Sequence, residues 1–293
     1  MTWAQRIVET LTTEQGRVAV QPPGSGDGYW AGGPSIVHDD GVYWLAHRLR
    51  RPVDKGRGYA NVVSRSEDGV HFEPVATVTA EQFGSASLER PALIRKPDGG
   101  WRLYVSCSTW HSKHWWVEAL DADDVADLPQ GERTMILPGD ADTAWKDVVV
   151  HREGNDWSMW ACRHPLDGGD DQADRMTSAF FSSPDGLHWS DPVTALAPRG
   201  GGWDARGTRI TSVLPGEPWT AFYDGRASAA ENWYERTAAA EGVQDAFVPV
   251  TGPTPPGTLR YLSIARADGG VRLYWEAARA DGANELRTAF VPE

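Results

Sequence analysis

The densest group of side chains able to do chemistry lies in the second half of the chain, in three neighbouring segments. These are Trp203-Asp-Ala-Arg-Gly-Thr-Arg209, Tyr223-Asp-Gly-Arg226 and Glu231-Asn-Trp233. Arg209 and Arg226 carry guanidinium forks suited to bidentate contact with a carboxylate or with vicinal hydroxyls. Asp204 and Asp224 supply carboxylates beside them, although Asp224-Gly225 also reads as a plain turn. A second group, Cys107, His111 and His114, has a Cys-x3-His-x2-His spacing. A zinc site would want a fourth ligand and a structured turn. The flanking Trp110, Trp115 and Trp116 suit an aromatic loop over a pocket better, so we expect neither a metal nor a cofactor.

The elements that must position these groups follow from composition and periodicity. The chain has 293 residues, 40% of them hydrophobic, with 15 Trp, 31 Gly and 20 Pro. That mixture excludes fibrous and disordered classes and favours short strands joined by tight turns over long helices. The formal charge of −13 gives no footprint for nucleic acid or an anionic membrane. Only Cys107 and Cys162 are present, so a disulfide scaffold is excluded. Residues 1–20 lack the continuous apolar stretch of a secretory signal, and no window approaches the roughly 18 apolar residues of a membrane span. A cytoplasmic protein is expected.

Five strand-like runs each follow a turn signal: Val42–Ala46, Trp101–Val105, Trp157–Ala161, Trp219–Tyr223 and Val271–Trp275. Their ends recur with a period of roughly 57 residues. A matched heptamer, Ser66-Glu-Asp-Gly-Val-His-Phe72 and Ser183-Pro-Asp-Gly-Leu-His-Trp189, keeps the same phase two periods apart. A repeat of this length built from about four strands describes a propeller blade. The expected fold is all-β, a single five-bladed β-propeller spanning residues 1–293. Its blades would fall roughly at 28–78, 79–137, 138–196, 197–250 and 251–293. The last is a strand short, and residues 6–12 are expected to supply that strand and close the ring. Residues 228–241, rich in Ala, read as an inserted helix. Aligning the second strands puts His47, Ser106, Cys162, Asp224 and Glu276 at equivalent strand ends.

Most of the Trp residues belong between packed sheets. Trp30, Trp110, Trp145 and Trp203 precede inner strands or sit in a loop beyond one. They are expected to offer indole faces to the C–H face of a sugar ring.

Three segments carry a family resemblance: Gly33-Pro-Ser-Ile-Val-His-Asp-Asp-Gly-Val-Tyr-Trp44, Glu89-Arg-Pro-Ala-Leu-Ile94 and Lys146-Asp-Val-Val-Val150. With the repeat, the chain resembles the five-bladed propeller glycoside hydrolases of the arabinanase, xylosidase and invertase type. The resemblance implies a carboxylate on the inner strand of each of the first three blades, serving as general base, pKa modulator and general acid. Glu89 and Asp147 match two of those positions, and Arg90 and Lys146 beside them would contact substrate or only pair with the acids. Glycosidic cleavage needs one proton delivered and one water activated, which a carboxyl pair can do. Where the family has an Asp before Pro-Ser-Ile, this chain has Gly33, so the usual base is missing. Asp27 lies near enough in sequence to substitute for it.

The resulting expectation is a glycosidase-like hydrolase acting on a small glycoside or oligosaccharide in a central funnel. Its catalytic residues would be Glu89, Asp147 and Asp224. Substrate contacts would come from Trp30, Arg90, Trp110, Trp145, Lys146, Trp203, Asp204, Arg209 and Arg226. The alternative is a degenerate propeller that binds a carbohydrate or runs other chemistry on a sugar-like metabolite.

Overall fold

The computed structural model describes residues 1–168, 175–257 and 259–293. It opens with helix α1 (Trp3–Thr13) and strand β1 (Arg17–Val20). An antiparallel meander follows: β2 (Trp30–Asp39), β3 (Val42–Arg50), β4 (Gly58–Ser66) and β5 (Glu73–Thr79). In the second group β6 (Ser87–Leu88) and β7 (Ala92–Arg95) both pair with β8 (Trp101–Ser108), which continues to β9 (Trp115–Ala122) and β10 (Glu132–Leu137). The third group is β11 (Thr143–Glu153), β12 (Asp156–Pro165), β13 (Thr177–Ser183) and β14 (Val193–Leu196). The fourth is β15 (Gly207–Leu214), β16 (Trp219–Arg226), β17 (Arg236–Val243) and β18 (Ala246–Pro249).

Three strands, β19 (Arg260–Ala267), β20 (Gly270–Ala278) and β21 (Asn284–Pro292), end the chain. A single parallel pair, Trp30 with Asn284, joins β21 to β2, so the first and last groups form one eight-stranded sheet. No sheet closes on itself among the described residues. The first strands of the groups pack side by side: β2 on β7, β7 on β11, β11 on β15, β15 on β19, and β19 back on β2.

All five strand-like runs fall in second strands, β3, β8, β12, β16 and β20, and the matched heptamers are one structural device used twice. Asp68 Oδ1 accepts the backbone N–H of Val70 and His71, each at 2.8 Å, and Asp185 does the same for Leu187 and His188. The glycine carbonyl in each turn then accepts a phenol from a second strand of another group. Tyr274 of β20 donates to Gly69 at 2.8 Å and Tyr104 of β8 to Gly186 at 2.6 Å. The repeat is therefore a latch between strand groups.

Two expectations need correction. Residues 6–12 are helical, not a strand: Ala4, Ile7 and Leu11 lie at helical spacing and are all buried, and Thr2 with Gln5 forms a capping box. The β-branched Ile7, Val8 and Thr10 fit a helix once one face has a core to enter. The strand that extends the last group is β1, antiparallel to β21 with Arg17 opposite Thr288 and Val20 opposite Leu286. Residues 228–241 are not helical either. A short 3₁₀ turn, Ala229–Glu231, leads into β17. There Ala238, Ala239 and Ala240 are fully buried, opposite Tyr223, Phe222 and Ala221. Small side chains are what let the neighbouring layers approach at that point, which outweighs alanine's helix preference.

Ile7 is fully buried in one apolar cluster with Leu214, Phe222, Leu262 and Trp275. Truncating it leaves a cavity, and Ile7→Ala should lower unfolding stability by about 2–5 kcal/mol in chemical denaturation. Glu9→Ala on the exposed face of α1 should stay within about 0.5 kcal/mol.

Candidate active site

Local irregularities of the first strands aim the polar side chains. In β2, β11 and β19 the pairing with the following strand slips between Gly32 and Ser35, Lys146 and Val149, and Arg260 and Ser263. Each slip contains a residue in the left-handed region: Gly33 at φ 58°, Asp147 at φ 56° and Tyr261 at φ 55°. Such bulges re-aim a side chain out of the strand's alternation. For Asp147 the backbone strain, of order 1–3 kcal/mol, is met by a full set of partners. Its N–H donates to Ser106 Oγ at 3.0 Å, while its carboxylate accepts Arg90 N–H at 3.3 Å and the Tyr261 hydroxyl at 3.0 Å.

The residues just before these bulges converge on a cavity of about 200 Å³. Lys146 and Arg260 line it from β11 and β19, with Glu89 and Arg209 in the corresponding places of the second and fourth groups. Gly32, the counterpart in β2, gives way to a carboxylate: a Cβ there would collide with Glu276, which accepts Arg260 Nε at 2.6 Å. The side walls carry Arg48, Arg50, Trp30, Trp115, His164 and Trp233.

Among the described residues Glu89 is the one carboxylate on the lining of this cavity. It is paired with the Arg48 guanidinium and lies 4.0 Å from Lys146 Nζ. Burial pushes its carboxyl up, but Lys146 and Arg48 more than offset that and hold it below the usual carboxylate range. Asp147 is fully buried beneath, 3.8 Å from the same ammonium and 3.5 Å from Arg209. Burial raises it too, and Lys146 and Arg209 hold it far below its ordinary value. Sharing Lys146 puts the Glu89 and Asp147 oxygens within about 8 Å of each other, inside the upper limit of about 9.5 Å for an inverting carboxyl pair.

Arg209 is the hub under the cavity. It reaches Asp147 at 3.5 Å, Asp224 at 2.9 Å and Glu235 at 2.5 Å, and its guanidinium lies 3.8 Å from the centre of the Tyr261 ring. Glu235 also holds Arg226 at 2.8 Å and Arg260 at 3.2 Å. Burial raises Glu235, but Arg209, Arg226 and Arg260 bring it down to about 2. Asp224 goes the other way: burial pushes its carboxyl above the ordinary value, with Arg209 opposing. It accepts Tyr261 N–H and the Thr237 hydroxyl and does not line the cavity.

Of the residues expected in the site, Glu89, Trp30, Lys146, Arg209 and Arg226 line this cavity, and Asp147 lies directly behind it. Arg90 is buried, gives its guanidinium to the carbonyls of Pro34, Val148 and Thr211 through four hydrogen bonds, and does not line this cavity. Trp145 points into an apolar cluster against Phe181, and Trp203 stacks on Tyr223. Asp204 is tied to Arg199 at 2.7 Å and to the Tyr223 hydroxyl. Trp110 is 61% exposed on a neighbouring groove. Asp27 packs against Gly282, away from the cavity. Cys107 is buried in a core while His114 bonds Thr109, and no three His, Cys, Asp or Glu among the described residues are grouped to hold a metal.

The strand-end alignment was off by one in the first group. Arg48, not His47, is the counterpart of Cys162, Asp224 and Glu276, because it pairs with Gly32 as they pair with Lys146, Arg209 and Arg260. A one-residue slip exchanges the faces of a strand, and His47 is buried, with burial lowering its pKa to about 4. The sequence reading also missed Arg50, Arg260, Glu235 and Tyr261. The signal was present for the first: Arg48 and Arg50 alternate with apolar neighbours, so both face one side of β3.

No protein-family model matches the sequence, and no curated protein matches it either. Solved structures do. A thermostable family-43 glycoside hydrolase superposes with a TM-score of 0.69 at 12% identity, covering 94% of this chain and 92% of that one. A β-1,2-mannobiose phosphorylase from Listeria innocua gives 0.66 at 14% identity, covering 95% of each chain. An α-L-arabinofuranosidase from Lactobacillus brevis gives 0.66 at 14%, covering 99% and 94%. The likeness is one of fold: at 12–14% identity the chain is built like these glycoside-processing enzymes.

Arg209→Met would leave Asp147, Asp224 and Glu235 short of their shared cation and should cost about 3–5 kcal/mol at neutral pH. Asp224, whose carboxyl already lies above its ordinary value, rises further without the guanidinium, so its contribution is present at low pH and lost as pH rises, while Asp147 keeps Lys146 and Glu235 keeps Arg226 and Arg260. The deficit against wild type, measured by urea denaturation, should therefore be smaller at pH 5 than at pH 8. An equal deficit at both would contradict this electrostatic account.

Proposed function

We propose that the chain is a single five-bladed propeller that cleaves glycosidic bonds in the central cavity, with Glu89 as the carboxylate that handles the proton. Support for the architecture is the cyclic packing of the five first strands, with β1 supplying the fourth strand of the last blade. The observation that carries the functional reading is the position of Glu89. Among the described residues it is the single carboxylate on the lining of the cavity where those strands meet, and it is coupled through Lys146 to a second, fully buried one. Asp147 then works from behind, fixing Lys146 and Tyr261 and tuning Glu89, while Asp224 anchors Tyr261 and Arg209.

A held-ionised Glu89 is set to accept a proton, as in activating a water. The family-43 glycoside hydrolase and the β-1,2-mannobiose phosphorylase that share this fold support a sugar as the ligand. A groove of about 1140 Å³ shares Val53, Arg57 and Lys113 with the cavity and displays Trp110 and Tyr59. That supports a substrate longer than a monosaccharide, with its outer residues on the aromatic faces. The second reading, a propeller that binds without cleaving, is favoured by Gly33. No carboxylate stands at that position, and a Cβ there would meet Arg90 at 3.2 Å.

A panel of aryl glycosides and unlabelled oligosaccharides separates the two readings. Glu89→Gln should lower kcat by about 10²–10⁴-fold with the circular dichroism spectrum unchanged. Full activity in that variant would remove Glu89 from the mechanism, and binding without turnover in wild type would favour the second reading. Trp110→Ala should raise KM for oligosaccharides and leave it unchanged for aryl monoglycosides.

A further inference from the structure

The central cavity is strongly cationic in a chain of net charge −13. Of the sixteen described residues that line it, eight are Arg or Lys and one, Glu89, is a carboxylate. Five of the eight are matched by acids: Arg48, Lys146, Arg209, Arg226 and Arg260 all have ion-pair partners. Arg50, Arg57 and Lys113 have none among the described residues. Arg50 is the informative one. It is 7% exposed, its Nη1 is buried without a hydrogen-bond partner, and it is held over the Trp30 ring at 4.2 Å and the Trp233 ring at 5.2 Å. Burial and the neighbouring Arg48 charge lower its pKa to about 10, so it stays protonated at neutral pH in a setting that disfavours the charge. An unpaired buried guanidinium is costly, and a neutral sugar would leave it so.

Building on the glycoside reading above, we propose that the cavity takes a sugar bearing a compact anionic substituent, a carboxylate or a sulfate, seated on Arg50 with Arg57 and Lys113 around it. The guanidinium fork matches two oxygens of either group. Arg57 and Lys113 stand where the cavity meets the Trp110 groove, so the charged sugar lies at the cavity end and the rest of the glycan runs outward. The cations also discriminate. The acidic surface of the protein repels polyanions in general, and only a ligand that enters the cavity meets the opposite sign.

The test is calorimetric titration with matched pairs: D-glucuronic acid against D-glucose, D-galacturonic acid against D-galactose, and glucose 6-sulfate against glucose, with inorganic phosphate alone as a separate arm. At least one acidic sugar should bind ten-fold or more tightly than its neutral partner, and the preference should weaken with added salt. Arg50→Gln should abolish the preference. Because Arg50 is buried, Arg57→Gln and Lys113→Gln, on less buried side chains, serve as second variants and should each reduce it several-fold. Equal binding of acidic and neutral sugars overturns the proposal while leaving glycoside cleavage standing. Binding of phosphate with no preference among the sugars also overturns it, since the charge would then belong to a free anion. An acidic-sugar preference without cleavage of any glycoside supports the anion seat and removes the hydrolase reading instead.

Discussion

One guanidinium holds the centre of this molecule together. Arg90 donates to Pro34 in β2, Val148 in β11 and Thr211 in β15, and its own backbone N–H goes to Asp147. Burial lowers its pKa to about 10, with Asp147 opposing, so the group remains charged at neutral pH. A charged donor facing backbone carbonyls in a dry interior makes strong hydrogen bonds and cannot be removed without orphaning all of them. The left-handed turn at Asp147, and through it the placement of Lys146 and Tyr261, rests on that tie.

Around that centre the fold repeats while the chemistry does not. Gly33, Asp147 and Tyr261 occupy the same backbone irregularity, and Glu89, Lys146, Arg209 and Arg260 the same step before it. Equivalent backbone thus presents acids, bases and an aromatic ring toward one space. The resulting array alternates charges closely enough that no carboxylate lining the cavity has its pKa raised. The raised one, Asp224, is shut away behind Tyr261. Repetition supplies the convergence, and the differences between repeats supply the electrostatics.

How much of this was legible follows from what each signal depends on. The five strand runs and the two Asp-Gly heptamers are local patterns, and each landed in the element its spacing implied. Glu89, Lys146 and Arg209 were legible because a family resemblance or a cluster of charges marked them. Residues 6–12 and 228–241 were misread because their outcome is set by what they pack against: Ile7 and Leu11 find a core that makes a helix favourable, and Ala238 to Ala240 fill a narrow gap between sheets. The side walls were out of reach for another reason. Arg48 enters the cavity, and Glu276 meets Arg260 beside it, only through exact register with Gly32 and Arg260, and a shift of one residue hides one side chain and shows another. Trp203 precedes its inner strand as expected while Trp145 lies within β11, and in both places the indole turns to the side that offers apolar or aromatic neighbours.

The tie at Arg90 has a further consequence for traffic. A second cavity, about 410 Å³, opens between the far ends of the same first strands, with Arg90 on its lining, and it shares no residue with the cavity around Glu89. Arg90, bonded across three first strands, lies between the two cavities, so we read the space around Glu89 as a cul-de-sac. A ligand backs out along the path by which it entered. On the proposed glycoside reading, a polymer could not thread through such a space by its middle, whereas a free terminus would fit, and a fragment at the bottom would wait for whatever sat above it in the Trp110 groove to depart first.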